Sequence, residues 1–244
     1  MTPDATILSF DTATSNCSVA LTRGGFIDGI VVACVNFSSG ISHSRKLLGL
    51  IDRLLADASV KLSEVSAIAV GLGPGSFTGL RIGMATAKGL CHGTAKPLLG
   101  ISSLDAIGAS VRSDKLICVV LDARKKEVYS CFYRHTENSF AGRCSEPIVL
   151  PPAVLAEQIN EPVVMAGDGV DVYSTVWSEV LGNRLEKAPA RNRYPAADTI
   201  GFLADEHYRA GQFLELSSCT PVYVRSSDAE LSLIRPVTQQ KARR

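Results

Sequence analysis

The sequence predicts a mixed α/β fold in two lobes, and three observations support this prediction. The chain opens with three short apolar runs separated by polar turns, a pattern typical of a β-meander. A further apolar run then leads through a glycine-rich loop into a helix. Near the middle of the chain a strand again ends in an aspartate and turns into another strand. Strands that lead into helices in this order favour mixed sheets flanked by helices.

The first lobe is predicted from the spacing of its apolar residues. Its meander has three strands, at residues 7–11, through Val19 and Leu21, and at 30–35. A helix is predicted over 42–58, with Ser42 or Ser44 as its N-cap, because apolar residues recur at helical spacing at Leu47, Leu50, Ile51, Leu54, Leu55 and Ala58. A buried strand at 67–72, a glycine loop at 73–79 and a helix at 80–90 complete the lobe.

The second lobe is predicted from an internal similarity at an offset of 111 residues. The run 116–121 ends in Asp122 and resumes at 128–133, so that Asp11 corresponds to Asp122 and Cys17 to Val128. Either the lobe was duplicated or two unrelated hairpins look alike. A helix at 152–159, a strand at 162–166, the triplet 167–169 and a last helix at 197–211 follow. We predict lobes at 1–104 and 105–224, with a frayed tail at 225–244.

Composition limits the classes of function. Hydrophobic residues make up 46% of the 244 residues, enough for a sizeable core, and the net charge of +1 gives no global attraction to nucleic acid. The seven cysteines form no CxxC pair, which predicts reduced thiols. There is no basic start followed by an apolar core and no run of about 18 apolar residues. We therefore expect a cytoplasmic protein without a membrane segment.

Several segments, in order, resemble a known family. They are FDTATSNCSVAL from Phe10, His43 before LLGLIDRLL, AIAVGLGPGSFTGLRIGMATAKGL with GISSL, LDARKKEVY, GDG and PVYVR. Paired meanders with terminal aspartates resemble the actin and sugar-kinase superfamily, with ribonuclease-H-like (ASKHA) lobes. Within that superfamily the chain is similar to the bacterial TsaB (YeaZ) proteins across most of residues 5–225. The block at 67–90 is the most specific of these matches.

The resemblance implies a function in tRNA modification. TsaB proteins are non-catalytic scaffold or activator subunits that pair with TsaD for N6-threonylcarbamoylation of adenosine 37 in tRNAs reading codons that begin with A. The resemblance also implies a homodimer when the chain is alone, a TsaE-like ATPase and the carbamoyl-donor synthase TsaC as co-workers, and contact with tRNA through the complex. We expect no enzymatic activity from this chain by itself.

A vestigial nucleotide cleft is expected at five residues, which are Asp11, Thr12, Asp122, Gly167 and Gly169. Nucleotide-binding relatives usually have glycine in the phosphate turn, but this chain has Ala13 in the first copy and Arg124 in the second. The loop 73–79 matches neither the Walker nor the GxGxxG pattern, so it is either an anion site or a packing turn, and we favour packing. We expect no cofactor of its own, with ATP bound only at an interface shared within the complex.

No metal or catalytic site is predicted. Catalytic relatives have two histidines four residues apart on the helix after GISSL, and this chain has Ser103 and Ile107 there. The four histidines, His43, His92, His135 and His207, have no such spacing. Ser76 is not within GxSxG, and no HExxH occurs.

A partner surface is predicted on the two helices of the first lobe. Its residues are Leu47, Leu50, Ile51 and Leu54 with Arg81, Met84 and Lys88, because the first helix has more apolar groups than its own sheet needs. The alternative is that the whole stripe is core. Two other functions remain open at this point: an actin-like small-molecule kinase or ATPase, which needs functional Asp11 and Asp122, and a stand-alone RNA-binding protein, which needs a basic face.

Overall fold

The first lobe contains a five-stranded sheet in the order β3-β2-β1-β4-β5. The computed structural model describes residues 4–38, 43–135 and 141–224, and only the backbone of 43–46. The strands are β1 (Thr6–Asp11), β2 (Asn16–Arg23), β3 (Ile30–Ser38), β4 (Ala67–Gly71) and β5 (Leu98–Ile101). β1 is antiparallel to β2 and parallel to β4, while β3 is antiparallel to β2 and β5 is parallel to β4. The predicted meander is therefore present.

The second lobe repeats this arrangement in a six-stranded sheet, in the order β11-β10-β6-β7-β8 with β9 also paired to β7. Its strands are β6 (Leu116–Arg124), β7 (Glu127–Arg134), β8 (Gly142–Arg143), β9 (Ile148–Leu150), β10 (Val163–Ala166) and β11 (Leu185–Lys187). As in the first lobe, the leading strand pairs antiparallel on one side and parallel on the other. The predicted fold class, two actin-like lobes with mixed sheets, is confirmed.

Seven α-helices are present in the described residues. They are α1 (His43–Asp57), α2 (Phe77–Thr94), α3 (Ser103–Ser110), α4 (Pro152–Gln158), α5 (Gly169–Val172), α6 (Ser174–Leu181) and α7 (Ala197–Arg209). The predicted helix at 80–90 is longer at both ends. It starts earlier because Ser76 caps its N-terminus by accepting a hydrogen bond from Gly79 N. The elements not predicted are short, β8, β9, β11, α5 and α6, for which periodicity is a weak signal.

Two helices link the two sheets, because each one follows one sheet in sequence and packs on the other. α3 follows the first sheet in sequence, but Leu104 and Ile107 pack in the core of the second sheet with Val119 and Tyr133. α7 follows the second sheet, yet Ile200 packs with Ile7 and Ala69 of the first. The last helix thus packs on the first lobe, and the predicted division at residue 104 stays a prediction.

Some predictions lie outside the described residues. These are the N-cap at Ser42, the side chains of His43 and Ser44, and the tail at 225–244. Across the part of the chain that is described, no helix combines the length and apolar character needed to cross a membrane. All seven cysteines lie in the described part, and none of them is paired in a disulfide there.

Candidate functional site

Asp11, at the end of β1, directs its carboxylate back into the protein. It is almost fully buried, and its Oδ1 accepts a hydrogen bond from Ala13 N at 2.8 Å. Its Oδ2 accepts one from Ser103 Oγ at 2.6 Å. Burial raises the pKa of Asp11 to about 6, against the lowering effect of the bonds from Ser103 and Ala13. The first-lobe turn therefore uses its acidic group for internal hydrogen bonds.

Ser103, at a position where the resemblance implies histidine in catalytic relatives, joins three elements of the fold. Besides donating to Asp11, its Oγ accepts a hydrogen bond from Gly73 N at 3.2 Å, and its own N–H donates to Gly73 O at 2.8 Å. Ser103 and Ile107 are both fully buried. Sequence comparison predicted only that histidine is absent here, whereas the structure assigns this serine a bridging role between β1, the glycine loop and α3.

The glycine loop before α2 packs directly on the first-lobe turn. Thr12 Oγ1 donates to Gly79 O at 2.7 Å, and Ser76 N donates to Ala13 O at 2.6 Å. A Cβ added at Gly79 would lie 1.9 Å from Thr12 O, and one at Gly75 would lie 2.2 Å from Ala13 O. Glycine is needed here because two backbone segments touch. The geometry therefore supports the packing interpretation of the loop over an anion site.

Asp122 in the second lobe is also bound by its own chain. Its Oδ1 accepts hydrogen bonds from Arg124 N at 2.9 Å and from Tyr173 OH at 3.1 Å, and its Oδ2 lies 3.2 Å from Arg124 Nη1. Asp122 N donates to Asp168 Oδ1 at 2.9 Å. Burial, and to a lesser degree the charge of Asp122, raises the pKa of Asp168. Each lobe thus has an aspartate that accepts from the N–H two residues later, a correspondence in keeping with duplication.

Gly167 and Gly169 allow α5 to approach β6 closely. Gly167 has a φ of +104°, and a Cβ there would lie 2.0 Å from Val120 O. A Cβ at Gly169 would lie 3.1 Å from the same oxygen. Gly167 is therefore required for packing, and a side chain at Gly169 would make a tight contact, whether or not a nucleotide binds. Nucleotide binding by the five predicted residues stays a prediction.

No metal-binding cluster is evident among the described residues, where no group of three or more His, Cys, Asp or Glu side chains could hold an ion. The ring Nε2 of His135 lies 2.7 Å from Val111 O, while His92 is exposed and His207 is partly buried. The expected absence of a bound metal stays a prediction.

The predicted partner surface on α1 and α2 is smaller than the sequence suggested. Four of its seven residues, Leu47, Ile51, Leu54 and Met84, are buried in the core of the first lobe, and we remove them from the candidate surface. The three of these residues on α1 are buried because the sheet and α2 cover that side of α1. Leu50 and Lys88 are partly exposed, and Arg81 is exposed. The neighbouring Leu48 is 54% exposed.

Two exposed aromatic residues beside Arg81 were not predicted. The Arg81 guanidinium lies over the Phe77 ring, with Cζ 3.9 Å from the centroid, and the rings of Phe77 and Tyr223 are 5.3 Å apart. Val222 N donates to Leu72 O at 2.9 Å, which places Tyr223 next to α2. The sequence held no signal for this contact, because residues 146 positions apart meet only in the folded chain. These residues extend the candidate surface.

A cavity of about 470 Å³ lies between the lobes, and the sequence did not predict it. Its polar wall contains Asp105, which accepts from Tyr133 OH at 2.7 Å and from Arg143 Nη2 at 2.6 Å. Burial, and then the nearby Asp105, raises the pKa of Tyr133, so this phenol stays protonated. The cluster ties α3 to the second sheet.

Comparison with known proteins gives a consistent picture. The family model described as TsaD, tRNA N6-adenosine threonylcarbamoyltransferase, matches residues 38–233. The tRNA threonylcarbamoyladenosine biosynthesis protein TsaB of Escherichia coli is 30% identical over 91% of this chain and 96% of its own length. TsaB of Bacillus subtilis is 28% identical over 94% and 98%. The structure of YeaZ from Pseudomonas aeruginosa, 29% identical, superposes with a TM-score of 0.70 over 90% of this chain and 99% of that one.

Proposed function

This chain belongs to the TsaB (YeaZ) family, and on that premise we propose that it is a non-catalytic subunit in threonylcarbamoyladenosine biosynthesis. It pairs with a TsaD-like catalytic subunit and supports transfer of the threonylcarbamoyl group to adenosine 37 of tRNA. The main observation in support of a non-catalytic role is that both turn aspartates, Asp11 and Asp122, already accept hydrogen bonds from their own chain. A kinase or ATPase would need these groups available to magnesium and phosphate.

The exposed side of α1 and α2 is the proposed partner surface. It consists of Leu48 and Leu50 on α1, Arg81 and Lys88 on α2, and the aromatic pair Phe77 and Tyr223. Exposed aromatic rings beside arginine are typical of protein interfaces, because they bury a large area and lose little side-chain entropy. The partner surface is thus still proposed on α1 and α2, but Leu47, Ile51, Leu54 and Met84 are no longer part of it.

The remaining partners enter through the complex. We propose that a TsaE-like ATPase and tRNA act on the pair of subunits, and that ATP binds, where it does, at an interface within that complex. The net charge of +1 supports this arrangement, because it gives no long-range attraction to RNA. The seven free thiols are in keeping with a reducing cytoplasm.

The decisive experiment measures binding of the TsaD-like subunit from the same organism. Leu48→Glu is expected to weaken that complex by about tenfold or more, because a charge replaces an apolar contact at the interface. Val172→Glu is the matched control. Val172 is 56% exposed, a fraction similar to the 54% of Leu48, but it lies in the second lobe. Val172→Glu should leave the affinity for the TsaD-like subunit unchanged. Folded Leu48→Glu protein that binds as tightly as wild type would refute this surface.

Leu54→Glu separates the surface from the core beneath it. Leu54 is buried, so an unpaired carboxylate there should cost several kcal/mol and unfold the chain. Circular dichroism would show whether Leu54→Glu loses its cooperative transition while Leu48→Glu keeps it. A folded Leu54→Glu variant would place Leu54 back on the candidate surface.

A further inference from the structure

The turn after the leading strand differs between the two lobes. In the first lobe, residues 12–14 are buried, and Ser76 N of the glycine loop donates to Ala13 O at 2.6 Å. The corresponding turn of the second lobe is exposed, and it consists of three cations, Arg124, Lys125 and Lys126. The second lobe therefore presents three consecutive positive charges to solvent at a place where the first lobe is covered by its own chain.

The backbone of this exposed turn is strained. Arg124, Lys125 and Lys126 have φ values of 62°, 53° and 63°, in the left-handed region that favours glycine and asparagine. Strained residues cluster at functional sites, so the strain indicates a role for these side chains. What the three side chains share, and what glycine and asparagine lack, is a positive charge.

Further cations lie along the same edge of the second sheet. They are Lys187, Arg191 and Arg193. The strands β6, β10 and β11 are parallel neighbours, so their carboxyl ends point to one edge of the sheet. Lys187 is the last residue of β11, and Gly167 N donates to Asn192 O at 3.1 Å, which holds the segment with Arg191 and Arg193 beside the end of β10. These three residues and the three cations of the turn form what we call the basic edge.

The helix α5 connects the two parts of the basic edge. Asp168, just before this helix, accepts a hydrogen bond from Asp122 N at 2.9 Å, and Asp171 Oδ2 lies 2.5 Å from Arg193 Nη2. The cations of the basic edge outnumber its acidic residues, which are Asp122, Glu127, Asp168 and Asp171. This part of the surface is therefore positive, although the net charge of the whole chain is only +1.

We propose that the basic edge binds the phosphate backbone of RNA, and that in the complex this RNA is the tRNA substrate. The inference rests on the proposed function, which supplies the tRNA, and it adds a direct contact by the second lobe. Cations from separate segments suit a row of phosphates, because each neutralised phosphate releases counterions whatever the base sequence. With a net charge of +1, the chain adds this contact to RNA that the complex already holds, and does not capture RNA alone.

An RNA backbone suits the basic edge better than an acidic protein does. Protein interfaces are centred on aromatic and apolar anchors inside a polar rim. In the described part of the chain, the exposed aromatic residues are Phe77, Phe213 and Tyr223, and all three lie beside the first lobe. A protein partner would thus find charge at the basic edge but no aromatic anchor, whereas phosphates need only the charge.

The test measures binding of tRNA to the complex of this chain with the TsaD-like subunit, over a range of salt concentrations. Lys126→Gln combined with Arg191→Gln is expected to weaken tRNA binding by about tenfold or more at about 0.1 M salt, and to reduce the slope of log affinity against log salt by about 2. Lys61→Gln combined with Arg112→Gln is the matched control. These two exposed residues precede β4 and β6, at the opposite ends of parallel strands, so both quantities should stay unchanged.

Affinity for the TsaD-like subunit is measured in parallel, and neither double variant should change it. If Lys126→Gln with Arg191→Gln does not fold, Lys187→Gln with Arg191→Gln replaces it. A folded variant of the basic edge with wild-type tRNA affinity and salt slope would overturn this inference and leave the proposed function intact. Loss of affinity for a protein subunit with unchanged tRNA binding would overturn it in favour of an acidic protein. A wild-type chain that does not pair with the TsaD-like subunit would refute the proposed function and this inference together.

Discussion

Asp11, which the resemblance places in a vestigial nucleotide cleft as an expectation, is part of the core. The side chain keeps its place at the end of β1, but desolvation raises its pKa to about 6 and its oxygens accept from Ser103 and Ala13. A carboxylate held in this way is costly when ionised, since burial penalises the charge more than the two hydrogen bonds favour it. Its titration should therefore be visible in the stability of the protein.

We predict that Asp11→Asn removes part of the pH dependence of stability. The folded pKa of about 6 lies above the unfolded value of 3.8, so the protonated carboxyl favours folding. That stability is present below about pH 4 and is lost as pH rises through 6. A shift of this size corresponds to about 3 kcal/mol. The fall in the free energy of unfolding between these pH values should be smaller in Asp11→Asn by that order.

Urea denaturation at pH 4.5 and pH 7 measures about two thirds of this difference, because the unfolded carboxyl is already mostly ionised at pH 4.5. Asp52→Asn, which changes an exposed carboxylate on α1, is the control and should retain the wild-type difference between the two conditions. Equal pH dependence in wild type and Asp11→Asn would mean that Asp11 is ionised in the fold at little cost.

The turn of the β6–β7 hairpin has a left-handed backbone that its residue types do not indicate. Arg124, Lys125 and Lys126 all have left-handed φ values, of 62°, 53° and 63°. Arg124 pairs with Glu127, so Lys125 and Lys126 form the two-residue turn, a geometry usually occupied by Asn-Gly. A polar turn was predicted here, but three lysine and arginine residues do not predict left-handed backbone.

Lys126→Gly is expected to stabilise the protein by about 1 kcal/mol, because glycine adopts the left-handed conformation without the clash of a Cβ. Lys61→Gly is the control: Lys61 has an ordinary extended backbone with φ of −82°, so the same change there should destabilise slightly. Thermal unfolding of both variants tests this. Destabilisation by Lys126→Gly would show that the lysine side chain contributes more than its backbone costs.

The whole molecule is held together by the exchange of α3 and α7 between the sheets. Ile200 and Leu203 of α7 complete the core of the first sheet, although they lie about a hundred residues beyond β5. Leu104 and Ile107 of α3 do the same for the second sheet. The first sheet cannot bury the face that packs on α7 with the residues of its own lobe alone.

We therefore predict that a fragment of residues 1–114 does not fold by itself. The residues of the first sheet that contact α7, such as Ile7 and Ala69, would be exposed to water. Adding the separately produced fragment 115–244 should restore a cooperative thermal transition, monitored by circular dichroism. A cooperative transition in the first fragment alone would show that the lobe is an independent folding unit.

The purified chain is also expected not to hydrolyse ATP above background, since neither turn presents a glycine-lined cradle for phosphate. Steady-state phosphate release measures this. A clear rate that disappears in Asp11→Asn would favour the kinase or ATPase interpretation over the scaffold.

The sequence by itself determined the family, the two-lobe fold and the long periodic elements. Local pattern was sufficient for β1, β2, β6 and α7, because strand and helix periods and turn residues act over a few positions. The replacement of a histidine pair by Ser103 and Ile107 was implied by the resemblance and stays a prediction. Short elements such as β8 and α5 were missed, because two to four residues contain too few periods to be distinguished from a loop.

Only the tertiary structure decided which residues are available to a ligand or partner. Helical spacing marked Leu47, Leu50, Ile51 and Leu54 alike, yet only Leu50 keeps part of its surface exposed. Burial depends on what covers a helix, and the sheet beneath α1 is assembled from strands distant in sequence. The same holds for Asp11, whose pKa depends on Ser103 and on burial by several elements. Such properties arise from long-range contacts, which local sequence patterns do not encode.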